Sequence, residues 1–406
     1  MFFNTLPEDV LYILNALNQA GHEAYIVGGC VRDSLLHLSP KDWDITTSAT
    51  PQETKKIFPH TFDTGIQHGT VTVVLNRTNY EVTTYRIEGR YEDCRRPAEV
   101  TFTNDLQEDL LRRDFTMNAI AYHPKEGFRD FFQGMEDIQK KIIRGVGTPA
   151  LRFQEDALRM LRCIRFAAQL GFEVAQETGA ALWENRGLIQ KISVERIHDE
   201  MNKLWLCDHD EKMPLLWESG LLEEIDPKLS AILMRRGDGF LAELKKTPKN
   251  PILRWAIVLQ DYTISEASAF LKGLRFDNDS RKRICLLLEY ITQDLPTEGY
   301  PLRVLTGKLG KEAIEQLLTL QGVLRPASPY GQTAKKLREI IARGDCLTRK
   351  ELAVNGQLLM NMGVPKGKVL GEVLTHLLDI VHRNPQYNQK LVLLEKAQAF
   401  LEKPQG

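Results

Sequence analysis

The sequence has little of what anchors or cross-links a protein from outside a packed core. Six cysteines, Cys30, Cys94, Cys163, Cys207, Cys285 and Cys346, are scattered along 406 residues, and no two form a Cys-x-x-Cys pair. That spacing argues against a zinc site or a disulfide framework and reads as buried thiols in a reduced compartment. No apolar run is long enough to span a bilayer. The opening residues MFFNTLPEDV carry acids where a signal peptide needs bases, so a cytoplasmic protein without a membrane partner is expected. Charge of one sign is also lacking: 53 Lys and Arg face 54 Asp and Glu, for a formal net charge of −1. This excludes a basic sleeve along the whole chain but leaves room for a local basic patch. No internal repeat and no low-complexity tail is visible. Two phosphate-binding signatures, GK[ST] after a glycine-rich loop and GxGxxG, are missing as well.

What is present is ample core material, with 43% hydrophobic residues, and enough length for two or three domains. Up to about residue 142 the pattern is mixed. Short alternating runs such as HGTVTVVL and YEVTTYR predict strands, and VRDSLLHL between them predicts a helix. After Pro149 the character changes. RFQEDALRMLRCIRFAAQL has apolar residues at helical spacing without Gly or Pro and predicts one continuous helix. SVERIHDEMNKLW, PILRWAIVLQD and RKRICLLLEYIT continue the helical pattern, with PKNP, PTEGYP and RPASPYG as joints. NGQLLMNMGVPKGKVLGEVLTHLLDIV predicts two helices around a GVPKGK loop. An α/β or α+β head on a long helical arm follows.

The chemistry concentrates in the head. AYIVGGCVRDSLL ends an apolar run at Gly28-Gly29, where a helix is expected to begin. Glycine lets the backbone turn sharply and approach a ligand, and exposed N–H groups at a helix start attract phosphate. Arg32 can donate to the same group. The same residues also suit a plain strand–helix turn. KDWDITTSA follows. In a strand Asp42 and Asp44 point the same way, and two adjacent carboxylates repel unless a cation such as Mg²⁺ lies between them. A solvated turn is the competing reading of the pair alone. Glu81, which shares a strand face with Thr83 and Tyr85, is the candidate third carboxylate; His68 just upstream reads as structural.

From Tyr85 to Asp114 arginines accumulate: Arg86, Arg90, Arg95, Arg96, Arg112 and Arg113. This segment reads as a solvated loop or as a lid that positions substrate. Arg113 is placed to hold a triphosphate. Asp114 and Asn118 fall i,i+4 on one predicted helical face, to bind ribose or to brace the fold. In EDALRMLRCIRF, Glu155, Asp156, Arg159, Arg162 and Phe166 fall roughly on one face, with Arg165 at its edge. A row of surface ion pairs would look the same. Beside a nucleotide, an Asp can accept from the amino group of adenine or cytosine while an Arg donates to the ring nitrogen. Uracil and guanine reverse that pattern.

GGCVRD with DWD (28–44), RRDFTMNA (112–119), RDFFQGMEDI (129–138), EDALRMLRCIRF (155–166) and SVERIHDE (193–200) occur together and in this order. In this the chain resembles the bacterial class II CCA-adding tRNA nucleotidyltransferases, relatives of bacterial poly(A) polymerases. NGQLLMNMGVPKGKVLG (355–371) resembles the tail of that family. The resemblance implies an α+β fold: a nucleotidyltransferase-type mixed-sheet head (1–142), then an all-helical neck with the base-reading helix (143–205), body (206–310) and tRNA-binding tail (311–406). It implies metal-binding Asp42 and Asp44, assisted catalytically by Glu81. Gly28, Gly29, Arg32 and Arg113 would contact nucleotide, Asp156 and Arg159 would read the base, and Arg162 and Arg165 would lie nearby. The implied partners are the tRNA 3′ end, ATP and CTP, with Mg²⁺ as cofactor and C, C and A added without a template. His198-Asp199 has no further His/Asp array behind it, which argues against a separate HD phosphohydrolase domain. The long arginine-rich loop favours full CCA addition over CC addition, while A-adding enzymes and poly(A) polymerases stay as alternatives. An idle RNA-binding protein and an antibiotic nucleotidyltransferase fit the motifs less well.

Overall fold

The computed structural model describes residues 6–89, 100–327 and 329–402. Arg90, Cys94, Arg95 and Arg96 of the arginine-rich segment lie outside the described residues. The chain forms two compact units, Met1–Gly237 and Asp238–Gly406. The boundary falls at Gly237, whose φ of 47° interrupts the helical stretch Pro227–Lys246.

The first unit is built on a mixed seven-stranded sheet. Its strands are β1 (Ala24–Val27), β2 (Asp44–Thr47), β3 (Thr61–Gly65), β4 (Thr70–Leu75), β5 (Thr78–Thr84), β8 (Ala121–His123) and β9 (Gly127–Arg129). The order is β3-β4-β5-β2-β1-β8-β9. Only β2 and β5 run parallel within it; the other neighbouring pairs are antiparallel. Between β5 and β8, two short strands, β6 (Arg86–Glu88) and β7 (Val100–Phe102), pair with each other.

One face of the sheet is closed by α1 (Glu8–Gln19) and α3 (Pro51–Ile57), which pack on β1, β4 and β5. In α1, Val10, Ile13, Leu14 and Leu17 recur at helical spacing and all are buried. In α3, Thr50 and Glu53 form a reciprocal capping box ahead of Pro51. On the other face Tyr25, Val27 and Tyr85 pack with Leu106 and Leu110 of α4 (Leu106–Leu111). At the start of β2 and beside it on β5, Asp44 is half-buried and Glu81 is exposed.

The stretch predicted as one helix is two. The helix α6 (Pro149–Glu155) ends at Asp156, whose φ of −142° and ψ of 99° are extended, and α7 (Leu158–Leu170) starts after Ala157. The reason is local: an Asp competes for backbone N–H groups, and the Asp156 carboxylate accepts from the Leu158 N–H at 3.2 Å. The helical periodicity survives on either side, which is why it hid the break. A second expected helix, carrying Asp114 and Asn118, is a single 3₁₀ turn at Thr116–Asn118. Their side chains still meet, Asn118 Nδ2 donating to Asp114 Oδ1 at 3.0 Å. The unit also contains α2 (Gly29–Leu35), α5 (Gly134–Lys140), α8 (Gln176–Asn185) and α9 (Val194–Trp205), with α6 on α8 and α7 on α9, and ends in the short helices Leu215–Glu218 and Leu221–Ile225 and the first part of Pro227–Lys246. A two-residue parallel pair, Ile142–Ile143 with Glu173–Val174, lies among these helices.

The second unit is helical. Leu359, Val373, Leu377, Val381, Leu393 and Ala397 form its distal core. The expected helix pair around GVPKGK is present as Gly356–Asn361 and Lys368–Arg383. Buried Arg303 fastens this region, donating to Asp345 and to the His382 carbonyl, both at 2.7 Å.

Candidate functional site

The turn after β1 brings three predicted residues together. Gly28 has φ 82° and ψ −134°, a conformation reserved for glycine. A Cβ there would lie 3.2 Å from Arg113 Nη1 and 3.9 Å from Asp44 Oδ2. Any side chain would therefore wedge between a guanidinium and a carboxylate. The helix begins at Gly29, as expected. Asp44 opens β2, and its parallel neighbour in register is Glu81 of β5. Paired residues on adjacent strands share a face, so the two carboxylates are neighbours on the sheet. Asp42 is not in the strand: it lies in the exposed lead-in two residues earlier. Burial pushes the Asp44 carboxyl above its ordinary range, Glu81 and Asp42 add to the rise, and Arg113 opposes it. Among the described residues no three His, Cys, Asp or Glu side chains converge as a closed metal cage. Asp42 and Asp44 carry carboxylate oxygens, the donor type a hard divalent cation accepts.

Arg112 and Arg113 are held by a residue that sequence reasoning missed. Asp109 is completely buried. It accepts from Arg112 Nη2 at 2.7 Å, Arg112 Nε at 3.0 Å, Thr46 Oγ1 at 3.1 Å and Arg113 Nη2 at 3.5 Å. Burial alone would raise its pKa; the two arginines and Thr46 outweigh burial and hold the carboxyl below its usual range. Its signal was the i,i+3 and i,i+4 spacing to Arg112 and Arg113. Arg113 Nε is buried with no hydrogen-bond partner. Arg32 is buried too, and most of its donors are committed: Nη1 to Asn118 Oδ1 at 2.6 Å, Nη2 and Nε to Asp33 Oδ1 at 2.6 and 2.9 Å.

Asn118 links Arg32 to Asp114, which accepts from Arg162 Nη2 at 2.7 Å and Nε at 3.0 Å. Burial opposes ionisation of Asp114, but Arg162 and Asn118 prevail and hold its pKa at about 2. The expected base-reading residues do not pair with each other. Asp156 is held by Arg196 of α9, with contacts of 3.0 Å to Oδ1 and 2.8 Å to Oδ2. Arg159 donates to Glu155 at 2.7 Å and to the Arg112 carbonyl at 2.7 Å. Arg165 donates to buried Glu200 of α9 at 2.5 Å and to Gln169 at 2.6 Å. Arg196 and Glu200 lie in SVERIHDE, but helical spacing alone does not say which neighbour they face.

Comparison with known proteins agrees along the whole chain. Residues 24–144 match the family model "Poly A polymerase head domain". Residues 171–233 match "Probable RNA and SrmB-binding site of polymerase A", and residues 247–397 match a tRNA nucleotidyltransferase domain 2. The CCA-adding enzyme of Lactobacillus delbrueckii subsp. bulgaricus is 37% identical over 387 residues, covering 94% of this chain and 95% of the relative. The crystal structure of Bacillus stearothermophilus CCA-adding enzyme in complex with CTP matches with a TM-score of 0.82 and 34% identity, covering 98% of this chain and 100% of that one. A Thermotoga maritima CCA-adding enzyme complexed with tRNA matches with a TM-score of 0.66, covering 98% and 97%; at 20% identity that likeness speaks to the fold alone.

Proposed function

The chain belongs to the family of CCA-adding enzymes, and from that premise we propose that it adds C, C and A to the 3′ end of tRNA from CTP and ATP, without a template and with release of pyrophosphate. The observation that carries this reading is the junction of Gly28, Asp44 and Arg113, which sets a carboxylate and a guanidinium against one glycine turn. A nucleotidyltransferase of this family depends on a divalent metal. We take it to be Mg²⁺, held by Asp42 and Asp44 with Glu81 beside them. The fit rests on the all-oxygen donor set and on an Asp44 carboxyl desolvated among like charges. When bound, the metal would ease ionisation of the RNA 3′-hydroxyl and neutralise the triphosphate and the leaving pyrophosphate.

The chain's own residues supply the rest. Arg113, with a buried Nε still to be satisfied, donates to the triphosphate. Gly28 and Gly29 let the backbone approach the phosphates, and Arg32 holds the turn in shape and adds positive charge behind it. Base choice falls to Asp156 and Arg159. Arg196 takes one site on Asp156 Oδ2, which leaves that oxygen a lone pair for the amino group of cytosine or adenine. A uracil or guanine carbonyl would face the carboxylate unpaired, and that mismatch is costly. Arg162 and Arg165 hold Asp114 and Glu200 and so brace the nucleotide side. In this reading residues 1–142 are the head, 143–205 the neck, 206–310 the body and 311–406 the tail, with the helical part recognising tRNA through its shape and backbone. Among the described residues no helix is long and apolar enough to cross a membrane. The substrates and the free thiols together favour a cytoplasmic site of action.

The test offers the purified protein a tRNA ending at the discriminator base, with Mg²⁺ and each labelled nucleotide alone and together. Two C additions followed by one A are expected. Incorporation of ATP without CTP would overturn the proposal in favour of an A-adding enzyme, and long A tracts in favour of a poly(A) polymerase. Chelation of the metal, Asp42→Ala and Asp44→Ala should each lower the rate by about a thousandfold or more with the fold intact.

A further inference from the structure

Phe166 sits where three arginines meet. The guanidinium carbons of Arg165, Arg32 and Arg162 lie 4.0, 5.0 and 5.3 Å from the centroid of its ring. Phe166 is 5% exposed, and its ring meets Phe115 edge to face at 5.9 Å. Each guanidinium has its own carboxylate: Asp33 for Arg32, Asp114 for Arg162 and Glu200 for Arg165. These contacts close a circuit. Asp114 binds Arg162, Arg162 meets the Phe166 ring, the ring meets Arg32, Arg32 binds Asn118, and Asn118 returns to Asp114. The circuit joins the glycine turn at the start of α2, the 3₁₀ turn and α7.

A leucine would fill most of this volume. It would not offer what three converging cations need, a negative π face that lowers their mutual repulsion and fixes the planes of their guanidiniums. The carboxylates, with Asn118 and Gln169, neutralise the charges and hold the edges of the guanidiniums. The ring adds a contact that edge-on hydrogen bonds do not supply. We propose that Phe166 is a positioning residue for the incoming nucleotide: its π face holds Arg32 and Arg162 in place before the triphosphate arrives, so that binding does not have to order them. This inference rests on the functional reading above, in which Arg32 and Arg162 belong to the nucleotide site.

The experiment replaces Phe166 with 4-fluoro-, 3,5-difluoro- and 3,4,5-trifluorophenylalanine, which drain the π face with little change in size. Equilibrium binding of CTP and of ATP is measured with Mg²⁺ and without tRNA, beside kcat, KM and the melting temperature. Kd and KM should rise in steps with fluorine count, to about tenfold for the trifluoro ring. The melting temperature should hold, and kcat should change less than KM. Phe166→Leu should weaken binding as the trifluoro ring does, and Phe166→Tyr should restore it. A flat Kd across the fluorinated series overturns the proposal, as does weakening confined to variants whose melting temperature has fallen. If the unmodified protein neither binds nor incorporates CTP and ATP, the functional reading has failed and this inference falls with it. If the unmodified protein is active and the series is flat, the inference alone has failed.

Discussion

Replacing Asp114 by Asn tests whether the contact between the 3₁₀ turn and α7 stabilises the first unit through charge or only through shape. Asp114 is 9% exposed. One of its oxygens takes both donors of Arg162, at 2.7 and 3.0 Å, and the other takes the Phe115 N–H at 2.8 Å and Asn118 at 3.0 Å. An Asn of the same shape must turn its NH₂ toward one of these donor pairs. A carboxyl held at about 2 instead of the ordinary 3.8 is worth roughly 2 kcal/mol at neutral pH. Breaking a fully buried ion pair costs about 3–5 kcal/mol, but Arg162 is 34% exposed and water can share its orphaned charge. The expected loss for Asp114→Asn is therefore about 2–3 kcal/mol. Urea unfolding of the full chain at pH 7, read on the transition of the first unit, measures it. The pH dependence supplies the sign. The native pKa is depressed, so the charge contribution is complete above about pH 4 and disappears as pH falls toward about 2. The stability gap between wild type and variant should close across that window. A loss below about 0.5 kcal/mol at pH 7, or a gap that stays constant from pH 4 to pH 2, would refute the charge argument.

Three further outcomes follow from the site. Gly28→Ala should destabilise the protein by about 1–3 kcal/mol and raise the nucleotide KM, because its Cβ would push on Arg113 Nη1 from 3.2 Å; a KM equal to wild type in initial-rate measurements would show that Arg113 does not serve the nucleotide from this position. Arg196→Ala removes both side-chain contacts to Asp156, leaving only the Leu158 N–H on its carboxylate, and should raise misincorporation of UTP against CTP by about tenfold, the effect of roughly 1.4 kcal/mol; competition assays with unchanged selectivity would mean that Asp156 is positioned without it. Asp109→Asn leaves Arg112 and Arg113 facing a weaker, partly reversed partner and should cost about 1–3 kcal/mol in thermal or urea unfolding, with a higher KM for both nucleotides. Equal KM values would place Asp109 in the fold alone.

Much of the head was legible because its signals are local. The alternation in HGTVTVVL and YEVTTYR became β4 and β5, and the double glycine ended β1 and opened α2. Asp42 and Asp44 stood out as a candidate pair from their spacing behind the glycine turn and Arg32, although only Asp44 is in the strand. The break at Asp156 was not legible: apolar residues keep helical spacing across it, and one extended residue leaves no mark in a periodic pattern. Nor were the distant partners of the buried charges: nothing in the local spacing says that Asp114 meets Arg162 or that Arg165 meets Glu200.

The sequence by itself determined the order of elements, the mixed head and helical remainder, and the chemical types gathered at the site, because turn residues and hydrophobic periodicity act over a few positions. Tertiary structure alone decided that Glu81 stands beside Asp44, that Asp156 answers to Arg196 and not to Arg159, and that one phenyl ring serves three arginines. Apart from the ring's contacts with Arg162 and Arg165 of its own helix, those pairings join residues tens of positions apart. They depend on strand register and on which helix face meets which, and neither is encoded in the spacing of any one segment.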